Sequence, residues 1–183
     1  TGYFSEVFAE VADRNGRIAL RDCAQWGTLN DWRKMGIPKN TELIAVTYCE
    51  TSTGVEWGND DITALSRAYP DPLLCVDITS TAAMQAVKIS DADAWFFSVL
   101  KGFGIPSGLG ILIVSPRMME RSQALTRNGQ NTAGLFSLEH IRRIMDASYQ
   151  TINTPNVLAI HLLGKQLDRW LERGGVPPLE RES

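Results

Sequence analysis

Between Ala94 and Ser115 the chain holds two apolar runs on either side of a loop that no helix can cross. The first run is Ala94-Trp95-Phe96-Phe97-Ser98-Val99-Leu100 and the second is Ile111-Leu112-Ile113-Val114. Both are short, rich in aromatic and β-branched residues, and bounded by turn residues, which is the pattern of buried strands. Between them, Gly102, Gly104, Gly108 and Gly110 with Pro106 exclude a helix and specify a tight loop set by backbone geometry. Lys101 falls where the first strand ends and the glycine loop begins. A lysine buried there is costly to keep as a cation, which would make its amine a nucleophile. A side chain that snorkels from the strand end into solvent is the other reading.

Around this stretch the chain alternates between strand and helix patterns. Residues Ser5 to Asn15 read as a helix, with Ser5 as N-cap, Val7, Phe8, Val11 and Ala12 on one face, and Asn15-Gly16 as the stop. Arg17 to Arg21 reads as a strand, and Leu29 to Met35 as a short helical insertion begun by Asn30 or Asp31. A stronger strand follows over Glu42 to Tyr48, then a helix over Asn59 to Ala68 and a strand over Leu73 to Asp77. With the runs at 94–99 and 110–114 there are at least five strands, several separated by helices. That alternation predicts βαβ crossovers and an α/β fold of three layers, with a mostly parallel sheet between two layers of helices. Beyond Pro116 the pattern gives a helix over Arg117 to Thr126, a polar loop from Arg127 to Gly134, and a helix over Leu138 to Tyr149. The last helix is predicted to start at Thr154-Pro155, a capping hydroxyl followed by proline at the first helical position. Ile160, Leu163, Leu167, Trp170 and Leu171 then share one face until Gly174-Gly175.

The 183 residues suffice for one domain with a sizeable core. A net charge of −3, with the 18 basic residues scattered, leaves no footprint for nucleic acid. No apolar run reaches the length of a membrane span, so no membrane partner is expected. Cys23, Cys49 and Cys75 are odd in number and lie in or beside strand-like runs, reading as reduced, buried thiols of a cytoplasmic protein. Without a Cys-x-x-Cys pair or a nearby histidine, they are poor metal ligands. Thr1 stands where an initiator methionine would, and the tail Pro177 to Ser183 stops as a charged segment opens. Residues 1–176 are therefore expected to form one domain that lacks its N-terminal part, and 177–183 to begin a connection to a further domain.

Ligands of open parallel sheets bind beyond the carboxyl ends of the strands. Three predicted strands end there in polar groups: Glu50-Thr51-Ser52-Thr53-Gly54, Asp77-Ile78-Thr79-Ser80-Thr81, and Leu100-Lys101. If the strands are parallel, Thr51, Asp77 and Lys101 converge on one rim. Taken singly, Thr51 could shape a turn and Asp77 could cap the next segment. Together they match the needs of pyridoxal phosphate chemistry: an amine for a Schiff base, an acid that keeps the pyridine nitrogen protonated, and a hydroxyl for the phenolic oxygen. Hydroxyls or backbone N–H groups would surround the phosphate. No glycine-rich nucleotide fingerprint follows a strand, which disfavours a nucleotide-binding α/β domain.

In order, spacing and residue type, Glu50-Thr51-Ser52-Thr53-Gly54-Val55, Val76-Asp77 with Thr79-Ser80, and Lys101-Gly102 with Pro106-Ser107-Gly108-Leu109-Gly110 resemble the signatures of class V pyridoxal-phosphate aminotransferases. Asn153-Thr154-Pro155 is most similar to the phosphoserine aminotransferase branch. The resemblance implies the large domain of a fold-type-I pyridoxal-phosphate enzyme. In it Lys101 would carry pyridoxal 5'-phosphate and shuttle protons, Asp77 would pair with the pyridinium, and Thr51 would meet the phenolic oxygen. Phe4 would stack on the cofactor where the family usually has tryptophan, and Thr79 would bind phosphate. Asn153 and Thr154 would reach the phosphate held by the neighbouring subunit of a homodimer. The implied reaction is transamination between amino-acid and 2-oxo-acid substrates, foremost 3-phosphoserine with 2-oxoglutarate. A serine– or alanine–glyoxylate aminotransferase and a lyase such as a cysteine desulfurase are the alternatives. Two positions depart from the pattern: Leu100 replaces a polar phosphate contact, and Cys49, which also reads as a small buried hydrophobe, replaces an asparagine.

Overall fold

A computed structural model describes residues 2–130 and 134–175; the expected connection at 177–183 lies outside the described residues. In chain order the elements are α1 (Tyr3–Arg14), a 3-10 turn (Trp32–Lys34), β1 (Leu43–Thr47), β2 (Cys49–Glu50), β3 (Val55–Glu56), α2 (Asn59–Ala68) and β4 (Leu73–Asp77). After a 3-10 turn at Ile89–Asp91 come β5 (Ala94–Ser98), β6 (Gly110–Val114), α3 (Pro116–Arg127), a 3-10 turn at Gly134–Phe136, α4 (Leu138–Ser148) and α5 (Val157–Glu172). The main sheet has the order β1-β4-β5-β6. β1, β4 and β5 run parallel and β6 returns antiparallel to β5, so the sheet is mixed and mostly parallel.

The register sets two faces, because successive side chains of a strand point to opposite sides. Val46, Val76, Trp95 and Ile113 share one level of the sheet. Val46, Val76 and Trp95 belong to the buried core, with Ile62 and Leu65 of α2, Ala159 and Trp170 of α5, and Trp32. Thr47, Asp77, Phe96 and Leu112 lie at the next level and therefore on the opposite face. There α1 lies across the sheet, with the Phe8 ring stacked on Phe96 at 5.8 Å. Helices thus cover both faces, as the three-layer expectation requires. Among the described residues, no helix is long and apolar enough to cross a membrane.

Several local expectations are corrected. Ser5 does not cap α1; Gly2 holds the N-cap position, and Ser5 lies inside the first turn. Residues 17–21 form no strand: Ile18 is 92% exposed and Arg21 turns back to pair with Glu6 and Asp13 of α1. An alternating pattern makes a strand only where a neighbour completes its ladder, and residues 17–21 lie against α1 instead. Cys23, beside that segment, is exposed rather than buried. The insertion at 29–35 contracts to the 3-10 turn, capped by Asp31. Likewise α5 starts at Val157, not Pro155, because Asn156 accepts from the Ala159 amide at 3.1 Å and serves as the cap. Of the face predicted for α5, Leu163 packs on the core and Trp170 is buried, whereas Ile160, Leu167 and Leu171 are exposed.

Candidate active site

Three segments meet at the carboxyl rim of the parallel strands. The first is the β2–β3 hairpin, which follows β1 directly; its turn closes through Thr53 and Gly54 amides donating to the Glu50 carbonyl at 3.1 and 2.8 Å. Gly54 has φ +71°, the left-handed region where a glycine relieves strain, and the turn leaves Thr51 at its tip. The second segment is the turn after β4, where Thr81 and Ala82 amides return to the Ile78 carbonyl at 3.0 and 2.7 Å. The third is the loop from Val99 to Leu109 between β5 and β6. Phe103 anchors it, stacked on Phe97 at 5.3 Å and against Trp170 at 5.1 Å. The Gly104 amide donates to the Lys101 carbonyl at 2.8 Å, so Lys101 sits in a closed turn beyond the end of β5.

Lys101 is half-buried, and its Nζ donates to Thr51 Oγ1 and to Ser80 Oγ, both at 2.8 Å. The two hydroxyls are themselves 2.5 Å apart, which closes a triangle across all three segments. Among the described residues no carboxylate forms an ion pair with Lys101. The Phe4 ring lies over this amine, its centroid 5.5 Å from Nζ. Gly102 permits the close approach: a Cβ there would lie 2.4 Å from the Ala82 carbonyl oxygen and push the loop off the turn that carries Ser80.

Asp77 ends β4 on the α1 face of the sheet. Its Oδ1 accepts from the Thr79 amide at 2.8 Å and the Thr79 hydroxyl at 2.6 Å. No described residue donates to Oδ2. Thr79 thus orients the carboxylate and leaves one oxygen open. Asn153 and Thr154 are exposed, just before Asn156, whose side chain comes within 3.2 Å of the Cβ position of Gly108 in the glycine loop. Leu100 is exposed and Cys49 is half-buried; burial foremost, then the Glu56 carboxylate, pushes the Cys49 thiol up from its ordinary range.

Two residues at this rim escaped the sequence reading. In the sequence Ser80 is one of several hydroxyls in its turn, yet it touches the lysine amine directly. Glu50 was read only as part of a motif. It is buried, 2% exposed, and accepts from the Phe4 and Ser5 amides, the Ser5 hydroxyl, and the Ser52 amide and hydroxyl. Burial pushes its carboxyl up, but the donors from Ser5, Ser52 and Phe4 outweigh it and hold the group below the usual range. Only a charged residue placed between Cys49 and Thr51 at a strand end could have signalled this.

A second polar cluster lies at the opposite end of the strands. Asp93, just before β5, accepts from Arg117 Nε at 3.0 Å, Arg117 Nη2 at 2.5 Å, Ser115 Oγ at 2.8 Å and the Leu74 amide at 3.0 Å. Arg117 also donates to the Pro70 and Pro72 carbonyls. A cavity of about 520 Å³ opens beside this cluster, between Tyr69, Ile89, Trp95 and Arg117, well away from Lys101. Its volume does not make it the site, because the charged groups on its wall are already paired. Another of about 520 Å³, apolar, lies on the α1 face between Phe8, Cys75, Phe96 and Leu112 and reaches Thr79.

A family model described as "Aminotransferase class-V" matches residues 10–183. A phosphoserine aminotransferase of Rhodococcus opacus (strain B4) is 32% identical over 180 residues, covering 96% of this chain and 45% of that protein. One of Rhodococcus jostii (strain RHA1) matches with the same identity and coverage. The crystal structure of a phosphoserine aminotransferase from Cytophaga hutchinsonii superposes with a TM-score of 0.93 at 31% identity, over 99% of this chain and 50% of that one. The chain spans about half the length of the relatives it matches.

Proposed function

The chain belongs to the class V aminotransferases, and from that membership we propose that it forms the cofactor-binding part of a pyridoxal-phosphate-dependent transaminase. The donor set at the rim fits that group. It offers a lysine amine free of any ion pair among the described residues, an aromatic ring above it, a hydroxyl beside it, and a carboxylate with one oxygen open. Pyridoxal phosphate, when bound, supplies an electron sink that makes the α-proton of an amino acid acidic.

The chain's own residues would then divide the work. Lys101 would hold the cofactor's carbonyl carbon and move the proton, since its Nζ lies at the meeting point of the three segments. Asp77 would hold the proton on the ring nitrogen, and Thr79 would keep its carboxylate turned toward that nitrogen. Thr51 would donate to the phenolic oxygen, and Phe4 would cover one ring face. Asn153 and Thr154, exposed beside the glycine loop, would complete the phosphate site of a neighbouring subunit in a homodimer. Leu100 has no polar group to contribute to that phosphate. For the substrates, the relatives of 31–32% identity named as phosphoserine aminotransferases support 3-phosphoserine as amino donor; 2-oxoglutarate is the acceptor that the sequence resemblance implies.

The observation that carries this reading is the Lys101 amine held by two neutral hydroxyls at the end of the parallel strands. Full-length protein loaded with pyridoxal phosphate and reduced with borohydride should retain the cofactor on the peptide that contains Lys101. Attachment to another lysine, or none at saturating cofactor, would overturn the assignment. Glutamate release from 3-phosphoserine and 2-oxoglutarate should exceed that from other amino donors. Mixing a Lys101→Ala subunit with an Asn153→Ala/Thr154→Ala subunit should restore activity if sites are shared, and should not if Asn153 and Thr154 serve their own chain.

A further inference from the structure

The α1 helix is held along its length by the Phe8–Phe96 stack and the Arg21 pairs, but its first turn needs a hold of its own. None of its residues is fully buried, and its N-cap position is Gly2, which has no side chain with which to satisfy the first-turn amides. Those amides find acceptors more than forty positions along the chain. The Tyr3 amide donates to Ser52 Oγ at 2.9 Å, the Phe4 amide to Glu50 Oε1 at 3.3 Å, and the Ser5 amide and hydroxyl to Glu50 Oε2, both at 2.9 Å. The Ser52 amide and hydroxyl complete the shell of Oε1 at 3.3 and 2.8 Å. A carboxylate at a helix N-terminus is also favoured by the helix dipole. The fit is tight: a Cβ on Gly2 would lie 2.1 Å from Glu50 Cγ and 2.6 Å from Ser52 Oγ. Glycine is required there by contact and not by conformation, since its φ of −174° is extended backbone.

The residues tied together in this way flank Lys101. Phe4, whose own amide Glu50 holds, has its ring over Nζ, and Thr51, between Glu50 and Ser52, accepts from Nζ. We propose that Glu50 is a positioning residue: its buried carboxylate clamps the first turn of α1 onto the Thr51 hairpin and so fixes the Phe4 ring above the lysine. The inference rests on the cofactor reading given above for Phe4 and Lys101.

Glu50→Gln tests it in the full-length protein. Glutamine keeps the size and one acceptor oxygen but turns an NH2 group toward backbone donors. In cofactor-free protein, amides in the first turn of α1 should exchange hydrogen about tenfold faster, as expected for loss of a charge-assisted hydrogen bond, while those of β4 and β5 stay protected. Gly2→Ala, which displaces the carboxylate without removing it, should do the same and serves if Glu50→Gln does not fold. Affinity for pyridoxal phosphate should fall about tenfold in Glu50→Gln but less than about twofold when the change is made in a Phe4→Ala background, because a residue acting through Phe4 has nothing left to position. Losses that multiply in the double variant, or exchange that accelerates equally through β4 and β5, would overturn the proposal and leave Glu50 a general stabiliser. Unchanged affinity in Phe4→Ala alone would instead overturn the cofactor reading of Phe4, and the clamp would then stand or fall on exchange.

Discussion

Polar clusters sit at both ends of the central strands, and they differ in what is left open. At the amino end, Asp93 accepts four hydrogen bonds, two from Arg117 and one each from Ser115 and the Leu74 amide. Arg117 also donates to the Pro70 and Pro72 carbonyls, so the cluster joins the starts of β4, β5 and α3 and leaves little to bind anything else. At the carboxyl end, Lys101 rests on two neutral hydroxyls, and Asp77 Oδ2 has no donor among the described residues. Both places hold a cation and an aspartate, yet one is a braced cluster and the other an unfinished shell. Saturation, more than residue type or cavity volume, separates structure from function here.

The comparison breaks most visibly at Asp77. Asp77→Asn keeps an oxygen for Thr79 but loses the charge that would hold a protonated ring nitrogen. Transaminase turnover of the full-length protein should fall by about three orders of magnitude, within the range of a lost acid–base partner, with stability changed by less than about 0.5 kcal/mol. Near-normal turnover would make Asp77 a brace like Asp93.

Asp93→Ala should give the reverse. It leaves the Leu74 amide and the Arg117 guanidinium without their acceptor; because Arg117 is partly exposed, a loss of about 2–3 kcal/mol is expected rather than the full cost of a broken buried pair. Thermal unfolding should drop by about 5–10 °C with turnover per folded molecule unchanged. The same brace predicts an acid limb. Burial pushes the Asp93 carboxyl up, but hydrogen bonds from Arg117, Leu74 and Ser115 outweigh it and hold it below the usual range. A carboxyl lowered in the folded state stabilises above its unfolded value, near 3.9, and loses that contribution as pH falls through the folded value. Melting temperature should therefore decline as pH drops below about 4, and the decline should be shallower in Asp93→Asn.

The two ends also differ in how much of them a sequence reader can see. The elements at 59–68, 73–77 and 110–114 are found where the periodicity places them. The apolar residues of the first two face a core built from neighbouring elements, whereas the run at 110–114, expected to be buried, leaves Leu112 and Ile113 exposed. The placement of Lys101, Thr51 and Asp77 at one rim was legible because each ends or follows a strand and strand ends gather there. Asp93 was not, since an aspartate before a strand looks like any loop residue until Arg117 arrives from beyond β6. Glu50 was hidden for the same reason, as its donors lie at the other end of the sequence. The strand expected at 17–21 failed because its pattern describes a half-buried surface and the segment finds none; Ile18 and Leu20 are both exposed.

Within the rim, Gly102→Ala is a milder break. The added methyl meets the Ala82 carbonyl and forces the lysine loop away from the turn bearing Ser80. Overpacking of this kind costs about 1–3 kcal/mol, and slower cofactor attachment to Lys101 should accompany it.

The finest test of the unfinished shell is Ser80→Ala. Asp93 keeps its place when one donor goes, because three other hydrogen bonds remain. Among the described residues Lys101 has one other acceptor, Thr51, and Thr51 itself is oriented by Ser80. Removing the Ser80 hydroxyl should therefore cost little stability, about 1 kcal/mol or less for a partly solvated neutral hydrogen bond. It should nevertheless release the amine. In cofactor-free protein, Lys101 should react severalfold faster with an amine-directed reagent than in the parent, while the other lysines keep their rates. Ser80→Thr, which retains the hydroxyl, should restore the parent rate. A Lys101 rate that does not move in Ser80→Ala would mean that Thr51 alone holds the amine and that the triangle adds nothing to its placement.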